Sequence, residues 1–228
     1  IIDLDGASAF STSSGPNSGD AGNINIDAGQ LEVKDGAGMS TATFGKGKGG
    51  NLDINATQSI EIIGDISFLT TFSGENSTKG SGDLNIQTNR LVVRDGAQVR
   101  TDTTGKGKGG DLSIAATQSI ELNGANNEFG ASLSTISQEK ATGNAGDLNI
   151  QTGRLVVKDG ASATTSTFGK GRGGNLKIQT GELLLRNSGV LTSTFGEGKG
   201  GNLDINASES VEINASVLSA SSYSAHDL

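Results

Sequence analysis

One alternating pattern of apolar and polar residues recurs along the whole chain. In the segment 49–56, a Gly-Gly pair precedes Leu52, Ile54 and Ala56, which alternate with Asn or Asp. Period two is typical of a β-strand with one buried face. The segment occurs seven times, with the residue after its glycine at positions 23, 51, 83, 111, 147, 175 and 202. Such a repeat indicates a repeat architecture, whose unit here is 27–36 residues long.

Each repeat predicts three short strands. The first is the Gly-Asn/Asp-Leu-x-Ile strand, the second resembles 155–158 and ends at Asp-Gly or Asn-Gly, and the third resembles 97–103. The unit is too short for the helices of leucine-rich or ankyrin repeats, and its odd strand number disfavours hairpins. We therefore expect an all-β parallel β-helix with three strands per coil and about seven to eight coils. It forms a single repeat segment over 1–228, roughly 35 Å long at about 4.8 Å per coil.

Stacked coils place like residues over like, so the repeat predicts internal aliphatic columns. Burial of each side chain contributes on the order of 1.5–3 kcal/mol. The leucine column is Leu52, Leu84, Leu112, Leu148, Leu176 and Leu203, and the isoleucine column is Ile54, Ile86, Ile114, Ile150, Ile178 and Ile205.

Thr-x-Thr segments recur in the third strand and suggest a regular array of the kind that ice-binding solenoids display. Their parity disfavours this function. Thr101 and Thr103 lie on the same face of the strand as Val99. Arg100 and Asp102 lie on the opposite face, which we expect to be exposed to solvent because it carries the charges. We expect the threonines to point inward or into a corner, where their hydroxyls can bond one another along the stack.

Composition and charge narrow the partners. The net charge of −8 disfavours nucleic acid and anionic membranes as partners, because both attract basic surfaces. No apolar run approaches the roughly 20 residues of a membrane span. The absence of cysteine excludes disulfides and thiol chemistry. Residues 1–6 match the middle of a repeat and contain no signal peptide, so we expect a piece of a much longer chain.

The sequence predicts no enzyme, catalytic residue, cofactor or metal site. The outward carboxylates Glu61, Glu121 and Glu212 recur at one point of their coils, so repetition explains them. The sole histidine, His226, lies in the C-terminal tail. Lys/Gly loops such as 45–50 lack the Gly-Lys-Ser/Thr ending of a phosphate loop and are expected to be solvated corners. Calcium binding stays open, although the Gly-Gly-x-Gly-x-Asp pattern is absent.

Four phenylalanines are the candidate binding surface. Phe44, Phe72, Phe168 and Phe195 are assigned to one corner position of their coils. They either pack that corner, which we favour, or form an exposed aromatic row that contacts a glycan.

The run 146–161 combines Gly-Asp-Leu-Asn-Ile, Arg-Leu-Val-Val-Lys and Asp-Gly-Ala, and 165–171 continues it with Thr-Ser-Thr-Phe-Gly-Lys-Gly. It resembles the repeats of filamentous-haemagglutinin-type exoproteins of two-partner secretion systems, especially the Gly-rich cyanobacterial type. The resemblance implies a right-handed β-helix. It also implies export through an outer-membrane partner and display on, or release from, a Gram-negative cell. The family's amino-terminal secretion domain is missing from this sequence, so this segment is not expected to engage the exporter.

Two functions follow as hypotheses. The first is the structural shaft of a large secreted or cell-surface adhesin-like exoprotein, whose partners are further repeats of its own chain or other copies stacked end to end into a fibre. The alternative is an extracellular module that binds or cleaves glycans. Neither hypothesis involves nucleic acid or membrane insertion.

Overall fold

The structure is a computed structural model that describes residues 1–15, 17–124 and 130–223. In these ranges all regular structure is β-strand, arranged in two sheets. The long-strand sheet contains β1 (Ile2–Asp5), β3 (Ile24–Lys34), β5 (Leu52–Ile63), β7 (Leu84–Arg94), β9 (Leu112–Asn123), β11 (Leu148–Lys158), β13 (Leu176–Arg186) and β15 (Leu203–Asn214). The short-strand sheet contains β2 (Ser8–Ser13), β4 (Gly38–Thr43), β6 (Phe68–Ser73), β8 (Gln98–Thr103), β10 (Ser132–Ser137), β12 (Ser162–Thr167), β14 (Gly189–Thr194) and β16 (Val217–Ser222).

The chain is a parallel β-solenoid of about seven turns, which confirms the predicted all-β parallel architecture. Strand order in the long-strand sheet runs from β1 through β3 and β5 to β15, and the short-strand sheet is ordered in the same way. Every described pairing is parallel and joins strands of consecutive coils. We number the coils from coil 1, formed by β1 and β2, to coil 8, formed by β15 and β16.

Each coil contains two strands instead of the predicted three. The first two predicted strands are continuous, because the chain stays extended and hydrogen-bonded through the junction between them. A register shift marks that junction. Between Thr152 and Arg154, β11 has one residue where β9 has Thr117 and Gln118, and the extra residue forms a bulge. The bulge absorbs the length difference without ending the strand.

The interior consists of aliphatic columns in strict register. Leu112 lies opposite Leu84 and Leu148, and Ile114 lies opposite Ile86 and Ile150. The same pairing continues through both predicted columns up to β15. The column residues from β5 to β13 are buried, and those of β15 are only half-buried because they lie in the end coil.

The turn between the two sheets explains the recurrent Asp-Gly pair. Asp35 has φ +54° and Gly36 has φ +78°, and Asp95-Gly96 and Asp159-Gly160 repeat this conformation. Asp tolerates the left-handed region better than most residues, and Gly adopts it without strain. The pair therefore turns the chain from the long-strand sheet into the short-strand sheet.

A glycine column lets successive loops stack at backbone contact. A Cβ on Gly110 would lie only 1.7 Å from the carbonyl oxygen of Gly82. The same close approach to the preceding coil, at 1.7–2.0 Å, recurs at Gly50, Gly82, Gly110, Gly146, Gly174 and Gly201. These positions exclude any side chain, which explains why a glycine precedes every long strand from β5 onward.

The interior threonines close the loops onto the core. They point inward, as predicted, and Thr101 and Thr103 are fully buried. Their expected partners were wrong, because most of these hydroxyls donate to a glycine carbonyl of their own coil and not to the next hydroxyl in the stack. Among the described residues, Thr71 Oγ1 and Thr194 Oγ1 are buried without a hydrogen-bond partner. Thr101 Oγ1 donates to Gly110 O at 2.5 Å and Thr103 Oγ1 to Gly107 O at 2.9 Å. The loop glycines turn their carbonyl oxygens toward the interior, where the threonine hydroxyls reach them. The alternation of inward and outward residues along a strand does not predict this loop geometry.

Candidate functional site

The outer face of the short-strand sheet departs from the repeat at one coil, coil 4, which contains β8. In register with Arg100 of β8 lie Thr70, Ser134 and Thr164, which are all small and neutral. Asp102 is flanked in register by Phe72 and Ile136, and the column continues with Ser166 and Ser193. A charged pair therefore stands where the other coils carry neutral side chains.

The four predicted phenylalanines do not form one row. Phe44, Phe168 and Phe195 follow their short strands, each donating its amide to the coil before. Phe72 lies within β6 opposite Ala42, two residues earlier, so its predicted corner position was wrong. In coils 3 to 5 the corner position is held by Gly74, Thr104 and Gln138, which separate the aromatic residues into two groups.

Each aromatic group is held by ring contacts. Phe44 and Phe72 pack with ring centroids 5.5 Å apart, and Phe168 stacks on Phe195 at 5.0 Å. The second stack continues to Tyr223 at 5.1 Å, a residue that was not predicted from the sequence. Alignment of 220–223 with the Thr-Ser-Thr-Phe segments would have placed it in the corner column. The rings pack against one another at the corner, while Phe44, Phe168 and Tyr223 stay partly exposed.

A buried carboxylate lies on this outer face. Asp102 is only 3% exposed, and its Oδ2 lies 3.3 Å from Nε of Arg100. Among the described residues, neither Asp102 Oδ1 nor Arg100 Nε has a hydrogen-bond partner, although both atoms are buried. Buried polar atoms without partners are unusual in folded proteins and are destabilising.

Unequal loop lengths make a cleft over this pair. Ten residues connect β6 to β7 and β10 to β11, whereas only eight connect β8 to β9 between them. Glu75 from the first long loop accepts a hydrogen bond from Lys140 of the second, 3.3 Å away, above the shorter loop. The cleft has a volume of about 350 Å³, which is within the range of about 300–1,000 Å³ for small-molecule sites. We call it the Asp102 cleft, and its lining is Phe72, Glu75, Arg100, Asp102, Thr104, Gln138, Glu139 and Lys140.

Among the described residues, Asp102 is the group whose pKa is shifted most from its ordinary value. Burial raises the pKa of its carboxyl from 3.8 to about 6, and the Arg100 guanidinium opposes this shift only in part. A group whose pKa is raised in the folded state keeps a proton that the unfolded chain loses. The folded state is therefore destabilised as the pH rises from about 4 to above 6.

Replacement of Asp102 by asparagine should remove this pH dependence. The shift corresponds to about 3 kcal/mol of free energy of unfolding, most of which the wild type loses between pH 4 and pH 7. We expect Asp102→Asn to be close to the wild type at pH 4 and more stable by about 2–3 kcal/mol at pH 7 in urea unfolding. Asp204→Asn removes an exposed carboxylate and serves as the control. A stability difference for Asp102→Asn that is the same at both pH values would contradict the burial of the charge.

A second concavity lies on the outer face of the long-strand sheet. It has a volume of about 330 Å³, and amides such as Asn85, Gln87, Asn149 and Gln151 line it. Several of these side chains are exposed, and neighbours in the same columns bond one another, as Asn85 Nδ2 does to Asp53 Oδ1 at 2.7 Å. Solvent-exposed amides give this groove less chemical definition than the buried charged pair gives the Asp102 cleft.

Two of the three recurrent outer carboxylates lie beside cations of adjacent coils. Glu121 lies 2.8 Å from Lys158, and Glu212 lies 4.0 Å from Arg186. His226 lies outside the described residues. Within the described ranges, no group of three or more His, Cys, Asp or Glu is placed to hold a metal ion. The same ranges contain no helix with the length and apolarity to cross a membrane.

No protein-family model matches the chain, and neither a curated protein nor a solved structure does.

Proposed function

We propose that the chain is a segment of a structural rod, the shaft of a large secreted or cell-surface adhesin-like exoprotein. The observation that supports this proposal most is the unbroken pairing of both sheets from coil 1 to coil 8. In each coil the long strand bonds its neighbours along the axis, and the aliphatic columns fill the interior. Bending such a rod would break several ladders at once, so stiffness is the property that the architecture provides.

The proposal includes two features that extend beyond the solenoid itself, the winding sense of the coils and the export route. The coils wind in the right-handed sense, as the resemblance to filamentous-haemagglutinin-type repeats implies. The same resemblance supports export by a two-partner system in a Gram-negative bacterium of cyanobacterial type. Neither the winding sense nor the export route is needed for the mechanical role.

The end coil favours association with a further coil. Val211 and Ile213 lie in register with the buried Leu183 and Leu185, and Leu218 lies in register with Val190. These interior positions are 53%, 43% and 38% exposed in coil 8, the last coil that the structure describes. Open strand edges and uncovered interior columns recruit parallel strands. Because the two ends of the rod differ, end-to-end contact is head-to-tail and builds an open filament.

We expect the protein to form linear head-to-tail assemblies as its concentration rises. Analytical ultracentrifugation and negative-stain electron microscopy should show rods of increasing length at constant width. Val211→Lys/Ile213→Lys places two charges on the exposed end and should keep the rods short, whereas Gln151→Lys places a charge mid-rod and should not. A wild type that stays monomeric at high concentration would contradict the association.

A second candidate function is glycan binding, because the Asp102 cleft combines an aromatic wall with polar groups. It is compatible with the shaft, since the cleft lies on the side of the rod and not at an end. The stacked Phe168, Phe195 and Tyr223 form another aromatic surface.

A further inference from the structure

The Asp102 cleft has a chemistry that restricts its ligand. Its floor presents an acceptor, Asp102 Oδ1, and a donor, Arg100 Nε, which are buried and make no hydrogen bond among the described residues, although Nε lies 3.3 Å from the other carboxylate oxygen, Asp102 Oδ2. A hydroxyl group donates one hydrogen bond and accepts others, so a single hydroxyl or a pair of neighbouring hydroxyls can satisfy both atoms. A phosphate or sulfate oxygen would meet the carboxylate as an acceptor against an acceptor, and an ammonium group would meet the guanidinium as a donor against a donor.

The charge of the lining also favours a neutral ligand. Three carboxylates, Glu75, Asp102 and Glu139, face two cations, Arg100 and Lys140. The small net negative charge repels polyanions, and the two cations at the floor and rim disfavour polycations. The polar side chains of Thr104 and Gln138 also line the cleft, and each of them can donate and accept hydrogen bonds.

Phe72 supplies the apolar part of the cleft. It lines the cleft beside Asp102, its register neighbour in β8, and Phe44 supports it from the preceding coil. A ligand with an apolar face of C–H groups and an edge of hydroxyls matches an aromatic wall next to a donor–acceptor floor. A pyranose ring has both features.

The repeat gives independent support, because it shows that the fold does not need the charged pair. The register-equivalent residues are threonine in β6 and β12 for Arg100, and serine in β12 and β14 for Asp102. A charged pair that leaves buried atoms unpaired lowers stability where neutral residues suffice, and such departures are concentrated at functional sites.

We propose that the Asp102 cleft is a binding subsite for a neutral hexopyranose residue of a glycan chain. The ring packs on Phe72, one hydroxyl donates to Asp102 Oδ1, and the same or the adjacent hydroxyl accepts from Arg100 Nε. The inference gives the glycan-binding function a defined location and rests on that function, not on the role of the shaft.

Binding to defined oligosaccharides tests the proposal. The probes are neutral hexasaccharides of glucose (β-1,4 and α-1,4), mannose and galactose, with polygalacturonate and chitosan hexasaccharides as the charged comparisons. Saturation-transfer-difference NMR and isothermal titration calorimetry would be used on the whole chain. We expect at least one neutral hexasaccharide to bind, and to bind more tightly than either charged one.

Repeat-restoring variants locate the site without disturbing the fold. Arg100→Thr/Asp102→Ser installs the residues found in β12 and should weaken binding by about tenfold or more, with an unfolding midpoint at least equal to that of the wild type. Phe72→Ala, which copies Ala42 of the preceding coil, should weaken it similarly. Phe168→Ala removes an aromatic ring outside the cleft and should leave binding unchanged.

The outcomes that overturn the proposal are distinct. Neutral-glycan binding that survives Arg100→Thr/Asp102→Ser would place the site elsewhere, and glycan binding as a function would stand without this subsite. Tighter binding of a charged hexasaccharide would refute the neutral ligand. A wild type that binds none of the probes would remove both the subsite and the glycan-binding function, while the shaft would be unaffected.

Discussion

Replacement of Gly110 by alanine should destabilise the protein by about 3 kcal/mol or more. The added Cβ would lie 1.7 Å from Gly82 O and 2.6 Å from Gly82 C, where both neighbours are backbone atoms that cannot rotate away. Overpacking of a rigid site typically costs about 1–3 kcal/mol and sometimes more. Relief of the clash would also move the Gly110 carbonyl that accepts the buried Thr101 hydroxyl. Denaturant unfolding followed by circular dichroism would measure the loss.

Gly19→Ala is the matched control, because Gly19 lies in the equivalent loop of coil 1 and a Cβ there meets no atom within 4 Å. Its free energy of unfolding should stay within about 0.5 kcal/mol of that of the wild type. If Gly110→Ala were as mild as Gly19→Ala, the loops would not stack at backbone contact.

Truncation of Leu112 to alanine is expected to lower stability by about 2–5 kcal/mol. Leu112 is fully buried between Leu84 and Leu148 in the middle of its column. The coils above and below are held by ladder hydrogen bonds, so they cannot collapse into the cavity. The free energy of unfolding in guanidinium chloride would measure this effect.

The same substitution at Leu203 should cost less, because Leu203 lies in the end coil and is only half-buried. Leu112→Ala and Leu203→Ala make the same substitution in the same leucine column at a fully buried and at a half-buried position. Equal losses at both positions would mean that the column is not a continuous interior.

Repetition made the solenoid predictable from sequence. Leu52 and its cognates recur at strand parity behind a glycine, and few folds other than a parallel stack of coils bury such a pattern. The strand number was not predictable in the same way. Where a coil turns depends on backbone geometry, and the bulge near Gly153 lets two predicted strands continue as one.

The candidate site was harder to predict because it depends on neighbouring coils. The alternation along the strand correctly predicted that Arg100 and Asp102 lie on the outer face. It also predicted that both side chains would be exposed to solvent, which is wrong for Asp102. Phe72 and Ile136 flank Asp102 in register, and two longer loops rise beside it. The burial of the carboxylate results from these three coils together, so no pattern within one repeat could indicate it. Phe72 likewise lies two residues before its predicted corner position, which Gly74 occupies in that coil.

The central claim is that the chain winds repeatedly so that equivalent residues lie one coil apart along a single axis. The chain has no cysteine, so pairs of introduced cysteines can carry spin labels at chosen positions only. Asn25, Asn149, Lys177 and Asp204 lie in one outward column. Double electron–electron resonance with one label fixed at Asn25 and the other moved along the column gives the axial rise directly. The solenoid predicts distances of about 19, 24 and 29 Å to Asn149, Lys177 and Asp204, an increase of about 4.8 Å per coil. Distances that fail to increase in equal steps in that order would contradict it.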